Sequence, residues 1–289
     1  MSLFDRLVSQ AMQSEAALGT VQAGVEKELL HHDILREMGQ AGLLARLTFI
    51  GGTCLRACYG SPRLSEDLDF TGGAEFDPGG LADLGPTLEA TLLAKYGLPV
   101  SVSEPVREQG NVSTWKLRVQ TRPAAKHLPA QRIHIDICAV DSYDPRPSLL
   151  RNDYGIDMGT GGLVVQVESR EEILADKWIA LAFRPNRVQY RDLWDILWLE
   201  RRGTELLPPL VARKLEGRQR ERDVFLAELN ERLADLATDG KHGRAFRQEM
   251  ERFVPASGLR DAIADPGFWS ALVLNLRDQL GCLRALGSK

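Results

Sequence analysis

The spacing of apolar residues changes character near residue 168. Before that point, short runs in which apolar and polar residues alternate are separated by longer stretches with helical spacing, a pattern typical of a sheet combined with helices. After it, few residues alternate with a period of two, and Ser169 with Glu172 fits the capping box that begins a helix. The sequence therefore predicts an α/β (α+β) domain over residues 1–168 and a helical domain over residues 169–289.

Several segments of the first domain favour a particular element. Helical spacing is expected over residues 21–43, 53–59 and 79–96. Runs typical of strands occupy residues 47–50, 67–70, 112–120, 132–138 and 163–167, with a turn over residues 122–129. Residues 144–162 are rich in proline and glycine and are expected to form a loop.

Three carboxylates occupy the polar positions of two expected strands. Residues i and i+2 of a strand point to the same face and lie roughly 6.5–7 Å apart, so Asp67 and Asp69 project together. Leu68 and Phe70 turn to the core. Asp136 obeys the same rule, because the isoleucines at 133, 135 and 137 take the opposite face. Carboxylates placed in this way repel one another unless a cation lies between them.

Two divalent metal ions roughly 4 Å apart would satisfy all three carboxylates and would clamp the attacking and leaving oxygens of a phosphoryl displacement. Hard oxygen ligands suit Mg²⁺, with Mn²⁺ as a substitute, and Mg²⁺ leaves its other positions to water and substrate phosphates. Simpler alternatives exist for each residue. An Asp-x-Asp pair is often a solvated strand edge or a loop start, and Asp136 alone fits a buried structural carboxylate.

A strand followed by Gly51, Gly52 and Thr53 suggests a second part of the same site. A chain that turns through two glycines into a helix lets backbone N–H groups approach a phosphate closely, and the helix N-terminus adds a favourable dipole. The segment is neither a P-loop nor a dinucleotide fingerprint, since the lysine and the third glycine are missing. The alternative is a simple turn.

The motifs occur in an order that resembles a known family. The first domain contributes Glu26, Lys27, Gly51, Gly52, Thr53, Arg63, Ser65, Asp67, Asp69 and Asp136. The second contributes Lys177, Ala180, Arg184, Arg191, Asp192 and Asp195. Together they are similar to the nucleotidyltransferases of the polymerase β superfamily, and within it to the AbiEii/MenT toxin family, over roughly residues 21–200.

The resemblance implies a mixed-sheet nucleotidyltransferase domain whose active-site cleft is completed by the helical domain. It implies an enzyme that transfers a nucleotide from an NTP to an acceptor, with two Mg²⁺ ions bound by Asp67, Asp69 and Asp136. The residues implied to bind the nucleotide are Gly51, Gly52, Thr53, Arg63, Ser65, Lys177, Arg184, Asp192 and Asp195, with Lys177 also catalytic. The implied setting is a bacterial toxin–antitoxin or phage-defence pair, with an antitoxin partner and RNA, such as the tRNA 3′ end, as acceptor.

The second motif also has a physical rationale. Lys177 and Arg184 lie seven residues apart, almost two helical turns, and therefore share one helix face. Such a cationic stripe suits the charge of a triphosphate. Asp192 and Asp195 share a face of the next helix. The alternative is that all four belong to solvated helix surfaces or to a network of ion pairs at the domain interface.

Composition excludes some classes of partner. The formal net charge is −4, which gives no global attraction to nucleic acid or acidic membranes, so such a partner needs a local basic patch. The densest basic run contains Arg213, Lys214 and Arg218, and is interpreted as a solvated helix face, with an RNA contact as the alternative. His134 shares the face of Asp136, either as a site residue or as a polar neighbour.

Four scattered cysteines are too few for a disulfide framework, and no apolar run reaches membrane-spanning length. A cytoplasmic protein without a membrane partner is therefore expected. Two other functions remain open. One is a catalytically silent nucleotide-binding module that signals through a partner protein, and the other is a nucleotidyltransferase that modifies a protein or a small molecule.

Overall fold

The computed structural model describes residues 2–14, 16–105, 111–123, 129–185, 187–238 and 240–285. The chain divides into two compact units, Met1–Glu168 and Ser169–Lys289. Most of the turn expected at residues 122–129 lies outside the described residues. Among those that are described, no helix combines the length and the apolar character needed to cross a membrane.

The first unit is built on a seven-stranded sheet with the order β3-β4-β5-β2-β1-β7-β6. The strands are β1 (Thr48–Ile50), β2 (Leu68–Thr71), β3 (Val100–Ser103), β4 (Val112–Val119), β5 (Gln131–Cys138), β6 (Pro145–Leu149) and β7 (Val164–Glu168). β2 pairs with β5, and β1 with β7, in parallel, whereas the other neighbours are antiparallel. This mixed sheet, accompanied by helices, confirms the predicted fold class.

Alternation of side chains explains why the central strands form. The isoleucines at 133, 135 and 137 of β5 are fully buried, as are Trp115 and Val119 of β4. Each buried side chain of this size stabilises the fold by roughly 1.5–3 kcal/mol relative to an exposed one. The residues between them are polar and lie on the other face, so burial of one face leaves the opposite face of β4 and β5 for polar groups.

In the described residues of this unit, four α-helices accompany the sheet: α1 (Leu3–Ser14), α2 (Gln22–Gln40), α3 (Gly51–Ala57) and α4 (Leu84–Tyr96). The long α2 corresponds to the helix expected over residues 21–43, and it ends before Gly42, whose φ of +71° is incompatible with a continuing helix. The helix expected over residues 79–96 is divided, because a short 3₁₀ turn over Pro78–Leu81 precedes α4.

The two edge strands were not predicted. β3 was not recognised in the sequence, and the loop expected over residues 144–162 is wrong at its start, where β6 runs from Pro145 to Leu149. Proline has no N–H to donate, which argues against a central strand. An edge strand needs only one hydrogen-bonded neighbour, so Pro145 and Pro147 are compatible with β6.

In its described residues the second unit is helical. Its helices are α5 (Arg170–Phe183), α6 (Tyr190–Arg201), α7 (Pro208–Gly217), α8 (Arg222–Thr238), α9 (Gly240–Met250), α10 (Gly258–Ala264) and α11 (Phe268–Ala285). The backbone N–H of Glu172 donates to the Ser169 hydroxyl at 3.2 Å, which is the first half of the expected capping box. Trp178, Trp194 and Phe225 are buried and contribute to the core of this unit.

Candidate active site

The sheet register brings two of the three expected carboxylates side by side. Asp69 of β2 and Asp136 of β5 occupy partnered positions of parallel strands, so their side chains point to the same face. Ile50, the last residue of β1, is partnered with Asp69 on the other side. Asp67 comes one residue before β2. The parallel pairing of β2 with β5 therefore brings the Asp69 and Asp136 side chains together.

Each carboxylate has a different neighbour. The backbone N–H of His134 donates to Asp67 Oδ1 at 2.9 Å, and His134 Nδ1 lies 3.6 Å from the same atom. Thr114, partnered with Asp136 across β4 and β5, donates a hydrogen bond to that carboxylate. In the described part of the chain, however, Asp136 Oδ1 is buried without a hydrogen-bond partner.

The electrostatic surroundings of Asp136 are unfavourable to its negative charge. Burial raises its pKa above the ordinary value, and the charge of Asp67 acts in the same direction. The hydrogen bond from Thr114 and the positive charges of His134 and Lys116 act against this rise without cancelling it. A cation beside Asp136 would therefore offset the electrostatic cost of keeping this buried carboxylate charged.

These groups fit a divalent cation chemically. The orphaned Oδ1 atom of Asp136 offers a free acceptor, and the donor set consists of the hard oxygens that Mg²⁺ prefers. Within the described ranges, no three His, Cys, Asp or Glu side chains already converge as metal ligands. The strand register places Asp69 and Asp136 on one face. Asp67 accepts a hydrogen bond from His134, and Asp136 accepts one from Thr114.

The Gly51-Gly52 turn lies directly against the site. Gly51 has a φ of +74°, and a Cβ built on it would meet Asp69 Oδ2 at 2.6 Å. A Cβ on Gly52 would overlap the guanidinium of Arg63 and would lie 3.1 Å from the Ser65 hydroxyl. The side chains of Asp69, Arg63 and Ser65 therefore pack on the backbone of this turn, and only glycine leaves room for them.

Hydrogen bonds to the protein's own backbone hold Thr53 and Arg63, which follow the turn. The Thr53 hydroxyl donates to the backbone carbonyl of Asp67, which ties α3 to the segment that carries the carboxylates. Arg63 is buried, and its Nη1 donates to the Leu64 carbonyl at 3.1 Å. Helix α3 spans only seven residues, so the backbone N–H groups of the turn, more than a helix dipole, are suited to contact an anion.

The sequence did not single out Thr114 as a partner of the site. Its position opposite Asp136 depends on the register of β4 and β5, and the connection between these strands does not reveal that register. Glu26 and Lys27 were noticed only through the family pattern. Glu26 accepts from Gln131 at 2.7 Å and from Arg122, whereas Lys27 Nζ lies 3.1 Å from Glu66 Oε1.

The second motif forms a network of ion pairs. Lys177 Nζ lies 2.7 Å from Asp192 Oδ1 and 2.8 Å from Asp195 Oδ2, and Arg184 Nη2 lies 2.9 Å from Asp192 Oδ2. The Asp195 side chain is fully buried and that of Lys177 is 12% exposed. The four side chains therefore pair with one another inside the helical unit, and the two carboxylates of α6 balance the cationic stripe.

The interpretation of the basic run as a solvated face is wrong for Lys214. Its side chain is 0% exposed, and its Nζ lies 3.0 Å from Glu172 Oε1 and 2.6 Å from Asp176 Oδ2. Arg218 also pairs with Asp176, at 2.7 Å. Both cations are balanced inside the helical unit, because α7 packs on α5, which carries the two carboxylates.

A protein-family comparison identifies the chain. The model of the "Nucleotidyl transferase AbiEii toxin, Type IV TA system" matches residues 33–272. The chain belongs to this family. The resemblance found in the sequence is thereby confirmed, and the protein is a nucleotidyltransferase of the toxin type found in toxin–antitoxin systems. A toxin of this kind implies an NTP substrate and an antitoxin partner, and nucleotidyltransferases generally use divalent metal ions.

Solved structures support the fold of this AbiEii family member. The nucleotidyltransferase toxin MenT4 from Mycobacterium tuberculosis is similar at 16% identity, with a TM-score of 0.55, over 96% of this chain and 98% of that one. A putative nucleotidyltransferase from H. pylori is similar at 15% identity, with a TM-score of 0.50, over 92% and 98%. None of the curated proteins compared with the chain matches it.

Proposed function

We propose that this AbiEii-type nucleotidyltransferase transfers a nucleotide from an NTP to an RNA acceptor, such as the 3′ end of tRNA, in a magnesium-dependent reaction. The observation that carries the proposal is the buried, unpartnered Oδ1 of Asp136 beside Asp69 on one sheet face. A carboxylate in that position is costly for a mere binding module, because it needs a cation to offset its burial. The same carboxylate is well placed in an enzyme whose reaction uses a bound cation.

In this proposal Asp67, Asp69 and Asp136 hold two Mg²⁺ ions, and Mn²⁺ could take their place. Bound by these carboxylates, the ions would supply positive charge to the phosphates and would make the attacking hydroxyl more acidic. Asp136, beside Asp69 on the same sheet face, is proposed to accept the proton of the attacking hydroxyl. The acceptor hydroxyl attacks the α-phosphate in line, and pyrophosphate leaves.

The triphosphate is proposed to contact the backbone of Gly51 and Gly52, with Thr53, Ser65 and Arg63 around the turn. Arg63 lies against Gly52, so a phosphate on this backbone would meet a guanidinium suited to bidentate contact. The Thr53 hydroxyl already donates to the Asp67 carbonyl, and its role is therefore to position the turn.

We also propose that Lys177 and Arg184 contribute to nucleotide binding, oriented by Asp192 and Asp195. Both carboxylates pair with Lys177, which makes the lysine side chain rigid before any ligand arrives. Rigidity lowers the entropic cost of binding. In the described residues Arg184 pairs with Asp192 and is 40% exposed, whereas Lys177 pairs with both carboxylates and is 12% exposed, so Arg184 is the more available of the two cations.

One assay tests the reaction and its acceptor. The protein is incubated with each α-labelled NTP, Mg²⁺ or Mn²⁺, and total cellular RNA, protein or metabolite extract in turn. We expect label in RNA, none after addition of EDTA, and none with Asp69→Ala. Asp157→Ala removes an exposed carboxylate that accepts a hydrogen bond from the Gly159 N–H, and it should behave as wild type. Label in protein or a small molecule would refute the RNA acceptor. NTP binding without any transfer would show a silent module.

A further inference from the structure

Cationic side chains line the open face of β4 and β5 next to the carboxylates. Across these strands Thr114 is partnered with Asp136, Lys116 with His134, and Arg118 with Arg132. Partnered residues of an antiparallel pair point to the same face, so all of them share the face of Asp136. We call Lys116, Arg118, Arg132 and His134 the basic ladder.

Three members of the basic ladder are exposed, and the fourth, His134, is half-buried with its Nδ1 3.6 Å from Asp67 Oδ1. Lys116, Arg118 and Arg132 are all exposed, and within the described ranges none of the three forms an ion pair. Like charges directly opposite each other destabilise a sheet, and Arg118 faces Arg132 in that way. The opposite face of the same strands is buried, so the arrangement is fixed by the core and cannot be relieved by a slip in register.

We propose that the basic ladder binds the phosphate backbone of the acceptor, and that the acceptor is a polyanion of the RNA type. This inference rests on the proposed function for its acceptor class. The other basic run is less suited to the task, because Lys214 and Arg218 are balanced by Glu172 and Asp176.

The direction of the basic ladder fits an RNA strand whose terminal hydroxyl lies at the carboxylates. Along β5, His134 lies two residues before Asp136 and Arg132 lies four residues before it, so these side chains are roughly 7 and 13 Å from the carboxylate. An acceptor whose terminal hydroxyl lies at Asp136 would place its preceding phosphates over these side chains. Ser101 and Ser103 of β3, partnered with Arg118 and Lys116, extend the row with hydroxyl donors.

The test removes the two charges farthest from the carboxylates. Arg118→Gln with Arg132→Gln lowers the net charge by two, and Arg6→Gln with Arg146→Gln does the same at two other exposed arginines. RNA affinity is measured between low and high salt, together with NTP affinity and thermal stability. We expect the ladder variant to bind RNA more weakly, with a salt slope flatter by about 1.4–1.8, and the control to bind as wild type.

Thermal stability separates a binding role from a structural one. The ladder variant should melt at the same temperature as wild type or higher, because a repulsive pair is removed, and its NTP affinity should be unchanged. An unaltered RNA affinity and salt slope would overturn the inference while leaving the proposed function intact. If the wild-type protein labels no RNA at all, the acceptor in the proposed function fails instead. Loss of binding to an acidic protein partner, with RNA binding unchanged, would assign the ladder to that partner.

Discussion

Replacing Gly51 by alanine should separate the geometry of the carboxylates from the stability of the fold. The new Cβ would stand 2.6 Å from Asp69 Oδ2 and 3.2 Å from Asp69 Cβ. Real Cβ atoms do not approach an oxygen so closely, and the Asp69 carboxylate must move by about 0.5 Å or more. Displacement of a catalytic group by about 1 Å costs up to about 100-fold in rate, so we expect a 10- to 100-fold loss.

Gly97→Ala is the matched control. Gly97 ends α4 with a φ of +64°, close to the +74° of Gly51, but a Cβ there would meet no heavy atom within 4 Å. Both variants incur the cost of a left-handed residue, about 1–2 kcal/mol, which lowers the melting temperature by about 2–8 °C. Only Gly51→Ala should lose activity.

The assay compares nucleotide incorporation at saturating NTP with melting curves from circular dichroism. Both variants should unfold at lower temperature than wild type, with Gly51→Ala at least as low as Gly97→Ala. If Gly51→Ala transfers nucleotide within about twofold of the Gly97→Ala rate at equal stability, the close packing of Gly51 on Asp69 has no catalytic meaning and the reasoning from geometry is refuted.

Two further predictions concern buried charges. Lys177→Met should destabilise the protein by about 3–5 kcal/mol, because it removes one partner of the buried ion pair between Lys177 and Asp195. The double variant with Asp195→Leu should recover most of that stability in a urea titration, but it should not recover the NTP affinity. Recovery of full NTP affinity would contradict a role for Lys177 in binding. In EDTA, the raised pKa of Asp136 means that the folded state binds this proton more tightly than the unfolded state does. The stability that the protonated carboxyl contributes is therefore present at low pH and is lost as the pH rises through the folded-state pKa. Asp136→Asn should therefore raise the melting temperature more at about pH 7 than at about pH 4, and an equal change at both pH values would refute the assignment.

The carboxylate-bearing strands could be predicted because a strand has a strict period of two. Isoleucines alternating around Asp136 fix which face is buried, and the face of the carboxylate follows. Local sequence does not specify that β2 lies parallel to β5, with Asp69 beside Asp136, because that pairing joins segments more than sixty residues apart. The family pattern supplied the grouping that periodicity alone left open.

Other features escaped prediction for physical reasons. Lysine is usually exposed, so the burial of Lys214 follows only once Glu172 and Asp176 of another helix are known to surround it. The positive charges of the basic ladder lie on separate strands, and the sequence shows no cluster there. Strand register, which places Arg118 opposite Arg132, brings them together.

The two prolines of β6 also bear on the behaviour of the toxin at high concentration. Pro145 and Pro147 lie on the last strand of the sheet, where an incoming chain would otherwise find a row of free amide donors. Proline supplies none, so this border is a poor template for strand exchange or fibril growth. Substituting both by threonine should leave the protein folded and make it prone to assemble edge to edge. The sheet thus has one border that resists polymerisation.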